Sequence, residues 1–112
     1  DRQRFASIYT YVEAHFQQSI TLEAVANEIS MTVPAFCRYF KKMTGRTFTQ
    51  FVNEYRVAHA SRLLAEGAES ISSICFEAGF NNFSHFNKQF KNITGKSPTA
   101  YRKARKRLVV ND

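Results

Sequence analysis

Residues Phe80 to Pro98 read FNNFSHFNKQFKNITGKSP. Phe83, Phe86, Phe90 and Ile93 fall at i, i+3, i+7 and i+10, which is one stripe of an α-helix. Asn82 is an N-cap residue type ahead of the stripe, and Gly95 a stop just past it. The spacing predicts that the stripe faces a core. The opposite face carries Ser84, His85, Asn87, Lys88 and Lys91, so it offers hydrogen bonds and positive charge without an acid. For an isolated helix, a solvated surface accounts for such a face as well as a binding surface does.

The same helix occurs twice. FKKMTG at 40–45 returns as FKNITG at 90–95, an offset of 50 residues. The stripe Val33, Phe36, Phe40, Met43 matches Phe83, Phe86, Phe90, Ile93. Arg38 matches Lys88, and Lys41 matches Lys91. Upstream the offset drops to 49, where Leu22, Val25, Ala26 and Ile29 match Ile71, Ile74, Cys75 and Ala78. The second copy therefore holds one extra residue within Gly79 to Asn82. Each copy reads as a short helix, a tight turn and a longer helix. Small residues at Ala26 and Cys75 allow the two helices to cross closely, as in a helix-turn-helix. One such pattern is a weak signal, and two in register with matched basic faces are a much stronger one.

Helix signals frame both copies. An opening helix from about Arg4 to Phe16 carries Phe5, Ile8, Tyr9, Val12 and Phe16 on one face. Thr21, Thr32 and Ser70 are placed to cap, and Pro34 is tolerated in a first helical turn. Thr47 with Gln50 makes a capping box for a long helix that Gly67 ends. Ser97 and Pro98 start a last short helix. The expected fold is all-α: seven helices forming two helix-turn-helix subdomains, at 1–46 and 68–107. A connecting helix at 47–67 joins them, and a frayed tail follows at 108–112. A rod of that length spans roughly 30 Å, close to the ~34 Å of one DNA turn. It could set two recognition helices into successive major grooves, or simply pack the two halves together.

Charge is unevenly placed. The net charge is +7 and the pI is near 9.7. No acid falls between Ile29 and Asn53, or between Ala78 and Asn111. Those windows hold Arg38, Lys41, Lys42 and Arg46, then Lys88, Lys91, Lys96, Arg102, Lys103, Arg105, Lys106 and Arg107. A one-sided basic surface is the footprint of a phosphate-backbone binder. An anionic membrane would need an exposed apolar face beside the cations, which the pattern lacks. No apolar run is long enough to span a bilayer, and no signal peptide is visible. The two cysteines form no CxxC: Cys75 reads as inert core, and Cys37 as a free thiol suited to a reducing cytosol.

Catalytic motifs fail. Thr94-Gly95-Lys96-Ser97 resembles the end of a phosphate loop, but Phe90 stands where the motif needs Gly, and no strand precedes it. His15, His59 and His85 share no metal-ligand spacing with each other or with a cysteine. The expectation is a non-enzyme without cofactor or metal.

GFNNFSHFNKQFKNITGKSPTAYRK at Gly79–Lys103 closely resembles the C-terminal signature of the AraC/XylS family of bacterial transcription regulators. AVANEISMTVPAFCRYFKKMTGRTFTQFVNEYR resembles that family's first helix-turn-helix. The resemblance runs from about Phe5 to about Arg105. It implies seven helices and sequence-specific binding to double-stranded promoter DNA, and the expected location is cytoplasmic. It also implies RNA polymerase as a partner, and a sensing or dimerisation domain outside this chain. The chain opens on Asp1 rather than Met and is expected to be cut from something longer.

By motif position, the base-contact candidates of the first unit are Pro34, Ala35, Cys37 and Arg38. Arg38 suits guanine, and Pro34 and Ala35 suit a thymine methyl. In the second unit the matching positions are Phe83, Ser84, His85, Asn87 and Lys88, with Asn87 suited to adenine and Lys88 to guanine. Phe83 falls on the apolar stripe and is expected to pack rather than read. Lys41, Lys42 and Lys91 are phosphate candidates. Thr32, Asn82 and Ser97 join them because they sit at helix N-termini. The competing reading is a helical protein–protein module whose basic face meets an acidic partner.

Overall fold

The computed structural model describes the backbone of residues 2–67 and 69–110, and side chains up to Lys106. Seven helices occur among the described residues: α1 (Arg2–His15), α2 (Leu22–Glu28), α3 (Val33–Thr44), α4 (Phe48–Glu66), α5 (Ile71–Glu77), α6 (Phe83–Thr94) and α7 (Pro98–Val110). The predicted caps explain their starts. Thr21, Thr32, Ser70 and Asn82 each accept a backbone N–H three residues on, at 2.8–3.3 Å. Thr47 and Gln50 form a reciprocal box. The Thr47 N–H donates to Gln50 Oε1 at 2.9 Å, and the Gln50 N–H donates to Thr47 Oγ1 at 3.1 Å. Ser97 accepts from the Ala100 N–H at 3.1 Å, ahead of Pro98 at the first position of α7. That last helix is longer than expected and continues to Val110, while residues 111–112 lie outside the described residues.

Contacts divide the chain into two compact units, 1–52 and 53–112, so the boundary falls inside α4. The first unit buries Ile8, Val12 and Phe16 from α1 and its end, Val25 and Ala26 from α2, Phe36 and Phe40 from α3, and Phe48 and Val52 from α4. Its centre is aromatic: Phe36 meets Phe48 at 5.2 Å, and Phe40 meets Phe48 edge-on at 5.5 Å. Such edge-to-face pairs add ~0.5–1.5 kcal/mol each beyond simple burial. The second unit buries Val57, Ala60 and Leu64 from α4, Ile74 and Cys75 from α5, and Phe86 and Phe90 from α6, with Ala78 and Phe80 from the turn. Tyr101 of α7 closes it, edge-on to Phe90 at 5.4 Å.

Three stripe expectations need correction. Met43 is 52% exposed, Phe83 44% and Ile93 39%, so only the middle pair of each stripe is core. Helical spacing continues to the ends of α3 and α6, but the hydrophobic partners do not. Tyr9, assigned to the buried face of α1, is likewise exposed.

Candidate nucleic-acid interface

Each unit builds the same turn between its paired helices. After α2, the Ser30 N–H donates to the Asn27 carbonyl at 3.1 Å, and the Met31 N–H reaches back to the Ala26 carbonyl at 2.9 Å. After α5, the Gly79 N–H donates to Phe76 at 3.0 Å and the Phe80 N–H to Cys75 at 3.1 Å. These are equivalent bonds at an offset of 49. The chain reverses through a left-handed residue in both: Ser30 at φ 57° and Gly79 at φ 101°. The extra residue of the second copy is therefore Asn81, inserted after the turn and before the capping Asn82. Ala26 and Cys75 are buried at the crossing, and burial pushes the Cys75 thiol pKa up, leaving it inert.

The longer helices of the two pairs, α3 and α6, end alike. Gly45 and Gly95 take left-handed φ of 75° and 85°, each donating its N–H to Lys41 or Lys91 at 2.8 Å. The Thr44 and Thr94 hydroxyls lie 2.8 Å from the carbonyls of Phe40 and Phe90, and each accepts the N–H two residues on.

With Phe36 and Phe40 buried, α3 turns Pro34, Arg38, Lys41 and Lys42 to solvent, with Ala35 and Cys37 half-buried beside them. With Phe86 and Phe90 buried, α6 exposes Ser84, His85, Lys88 and Lys91, with Asn87 half-buried at the edge. The expected side chains are thus brought together on one face of each helix. The His85 ring stands edge-on to Phe80 at 5.6 Å, which restricts its orientation. Phe83, on the apolar stripe, is 44% exposed at the first position of α6.

The capping residues keep donors available. Thr32, Asn82 and Ser97 use oxygen lone pairs for capping. The hydroxyls of Thr32 and Ser97 and the amide nitrogen of Asn82 retain their donor capacity. Beside them lie the unpaired N–H groups of a helix N-terminus, the arrangement that holds phosphate.

Other cations are committed elsewhere. Arg102 Nε donates to the Leu64 carbonyl at 3.4 Å, at the C-terminal end of α4, and its Nη2 is buried without a hydrogen-bond partner. Lys106, one helical turn on, lies beside Gly67, the residue that ends α4. The Arg102 charge therefore complements the negative end of the α4 dipole. The Arg56 guanidinium stacks over the Phe80 ring at 5.9 Å, and burial lowers its pKa. Arg4 lies 5.6 Å over the Tyr39 ring. No sequence window separates such cations from those facing solvent. No group of three His, Cys, Asp or Glu side chains among the described residues could hold a metal ion. Likewise, no helix among them is long and apolar enough to cross a membrane.

Comparison with known proteins agrees with this arrangement. A helix-turn-helix domain family matches residues 25–104. The HTH-type transcriptional activator RhaS of Klebsiella pneumoniae (strain 342) is 31% identical over 106 residues, covering 95% of this chain and 38% of that protein. The chain spans about a third of the length of the curated relatives it matches, 34% and 38% in two cases. The DNA-binding domain of AdpA, a global transcriptional factor crystallised with a target DNA, superposes with a TM-score of 0.82 at 28% identity. It covers 88% of this chain and 89% of that one. An AraC-type regulator from Chromobacterium violaceum shares the fold at a TM-score of 0.85 and 22% identity, covering 93% of each chain. Paired helix-turn-helix units, their matched caps and turns, and these similarities together make the chain a member of the AraC/XylS family of helix-turn-helix DNA-binding domains.

Proposed function

We propose that α3 and α6 read promoter DNA from successive major grooves. One observation carries this: two equivalent helices expose the same kinds of side chain at the same register, Arg38 with Lys88 and Lys41 with Lys91. A face for one protein partner has no need of that repetition. In this reading, Arg38 and Lys88 pair with guanine and Asn87 with adenine. Pro34 and Ala35 touch a thymine methyl, while Cys37, Ser84 and His85 fill the remaining base-edge positions. Lys41, Lys42 and Lys91, with the helix starts at Thr32, Asn82 and Ser97, hold phosphates and set the register. The DNA-bound state of the AdpA domain supports the same docking here. RNA polymerase as a second partner, a sensing or dimerisation domain elsewhere in the protein, and action in the cytoplasm complete the proposal.

The test is selection from a random-sequence duplex library at two salt concentrations, followed by sequencing. The expected result is one enriched motif with two half-elements about one helical turn apart. Binding without enrichment would refute base reading and favour a basic face that meets an acidic protein partner.

A further inference from the structure

One flank of α1 carries four exposed residues, Arg2, Ala6, Tyr9 and Glu13, at successive intervals of four, three and four. That spacing lays them in one stripe along the helix. The stripe borders an open groove of about 650 Å³ lined by Arg2, Phe5, Ala6, Tyr9, Thr10 and Met43. Tyr9 is 44% exposed and Met43 52%, and the Tyr9 ring is braced edge-on against Phe51 at 6.4 Å. The charges of the stripe oppose the dipole of their own helix. Arg2 stands in the first turn of α1, where an anion is favoured, and Glu13 in the last, where a cation is. An antiparallel helix beside α1 reverses both relations, because its C-terminal end lies next to Arg2 and its N-terminal end next to Glu13. The stripe is also complementary to itself. When two copies of α1 lie antiparallel about a two-fold axis between residues 7 and 8, Arg2 faces Glu13 of the second copy and Ala6 faces its Tyr9. Each pair occurs twice, and the small Ala6 leaves room beside the groove for the second copy's ring.

We propose that this flank of α1 is a self-association surface whose partner is a second copy of this chain, docked antiparallel with Arg2 against Glu13 and Ala6 against Tyr9. The surface is separate from the DNA-reading face. On α3, Met43 lies five residues beyond Arg38, about 140° around the helix, so pairing through α1 leaves the base-contact candidates free. With 14 residues, α1 is roughly 21 Å long. A single helix pair of that length is smaller than the ~1,200 Å² of a stable interface. The dimer is therefore weak, with a dissociation constant between ~1 μM and ~1 mM.

Sedimentation equilibrium without DNA tests this. Physiological ionic strength is chosen because its Debye length of ~8 Å screens the overall charge of the chain but not pairs in contact. Between ~1 μM and ~1 mM protein, the apparent mass of the wild type should rise from 12.9 kDa towards twice that value. Arg2→Glu and Glu13→Arg each set two like-charge pairs into the dimer, and each should weaken association by about tenfold. An equimolar mixture of the two variants should recover it, because every pair then joins opposite charges again. Both substitutions align a charge with the α1 dipole, so neither should lower the thermal midpoint, which separates lost association from lost folding. The proposal is overturned if the wild type stays monomeric over that range, which would leave the flank to a different protein segment, or if it assembles beyond a dimer. It is equally overturned if the single variants associate as the wild type does, or if their mixture fails to recover association.

Discussion

Arg102 belongs to the most basic stretch of the chain, yet its charge should contribute almost nothing to DNA affinity. Its Nε bond to the Leu64 carbonyl is long, at 3.4 Å, so it is worth at most ~1 kcal/mol. A cation at the C-terminal end of α4 adds ~0.3–1 kcal/mol. Against both stands the buried Nη2 with no partner, a desolvation cost of ~1–3 kcal/mol. Arg102→Met keeps the apolar stem and removes the gains and the cost together. At the middle of those ranges the sum is a stabilisation of about 1 kcal/mol. Urea denaturation is the assay: at ~1–3 kcal/mol/M for m, the midpoint should move by less than about 1 M. The paired measurement is DNA affinity across a salt series, whose slope should be unchanged. A slope reduced by about 0.9 would mean that Arg102 neutralises a phosphate, and the inward assignment would be wrong. A loss of several kcal/mol with unchanged slope would mean that the guanidinium holds α7 far more strongly than its geometry indicates.

Arg38→Ala should relax preference at one or two base pairs and cost ~1–3 kcal/mol on the preferred duplex; equal loss on every sequence would contradict base readout. Lys91→Ala should weaken binding to all duplexes and flatten the salt slope by about 0.9, and an unchanged slope would remove it from the phosphate contacts. Ser30 occupies the left-handed region at φ 57°, where the second copy uses Gly79. Ser30→Gly should therefore stabilise the first unit by ~0.5–1 kcal/mol, the relieved strain exceeding the added chain entropy; a destabilised melt would refute this. Glu69 has a raised pKa, chiefly because it shares a hydrogen bond with Glu77. A carboxyl raised on folding opposes folding above its folded-state pKa, and that opposition disappears as pH falls below the unfolded value. Glu69→Gln should accordingly stabilise at pH 7 and lose its advantage on acidification into the ordinary carboxylate range; a gain that grows at low pH would reverse the sign.

The repeat was legible because helix boundaries are local chemistry. Thr21, Thr32, Thr47, Ser70, Asn82 and Ser97 cap within three residues of themselves, and Gly45, Gly67 and Gly95 stop helices at positive φ. Such signals survive in any tertiary setting. The polar faces of α3 and α6 were legible for a related reason: once two central phenylalanines of each helix are inside, helical geometry sends Arg38 and Lys88 outward.

The linear sequence by itself determined the seven helices, the doubled helix-turn-helix and the side chains opposite each apolar stripe. Tertiary structure alone decided where each stripe stops being core, because burial depends on partners from distant segments rather than on spacing. It left Phe83, Met43 and Ile93 exposed where periodicity predicts packing. It also decided which cations are available. Arg102 meets a carbonyl 38 residues away in the chain, whereas Lys88 and Lys91 meet none among the described contacts. Both outcomes follow from long-range proximity, which neither composition nor periodicity encodes.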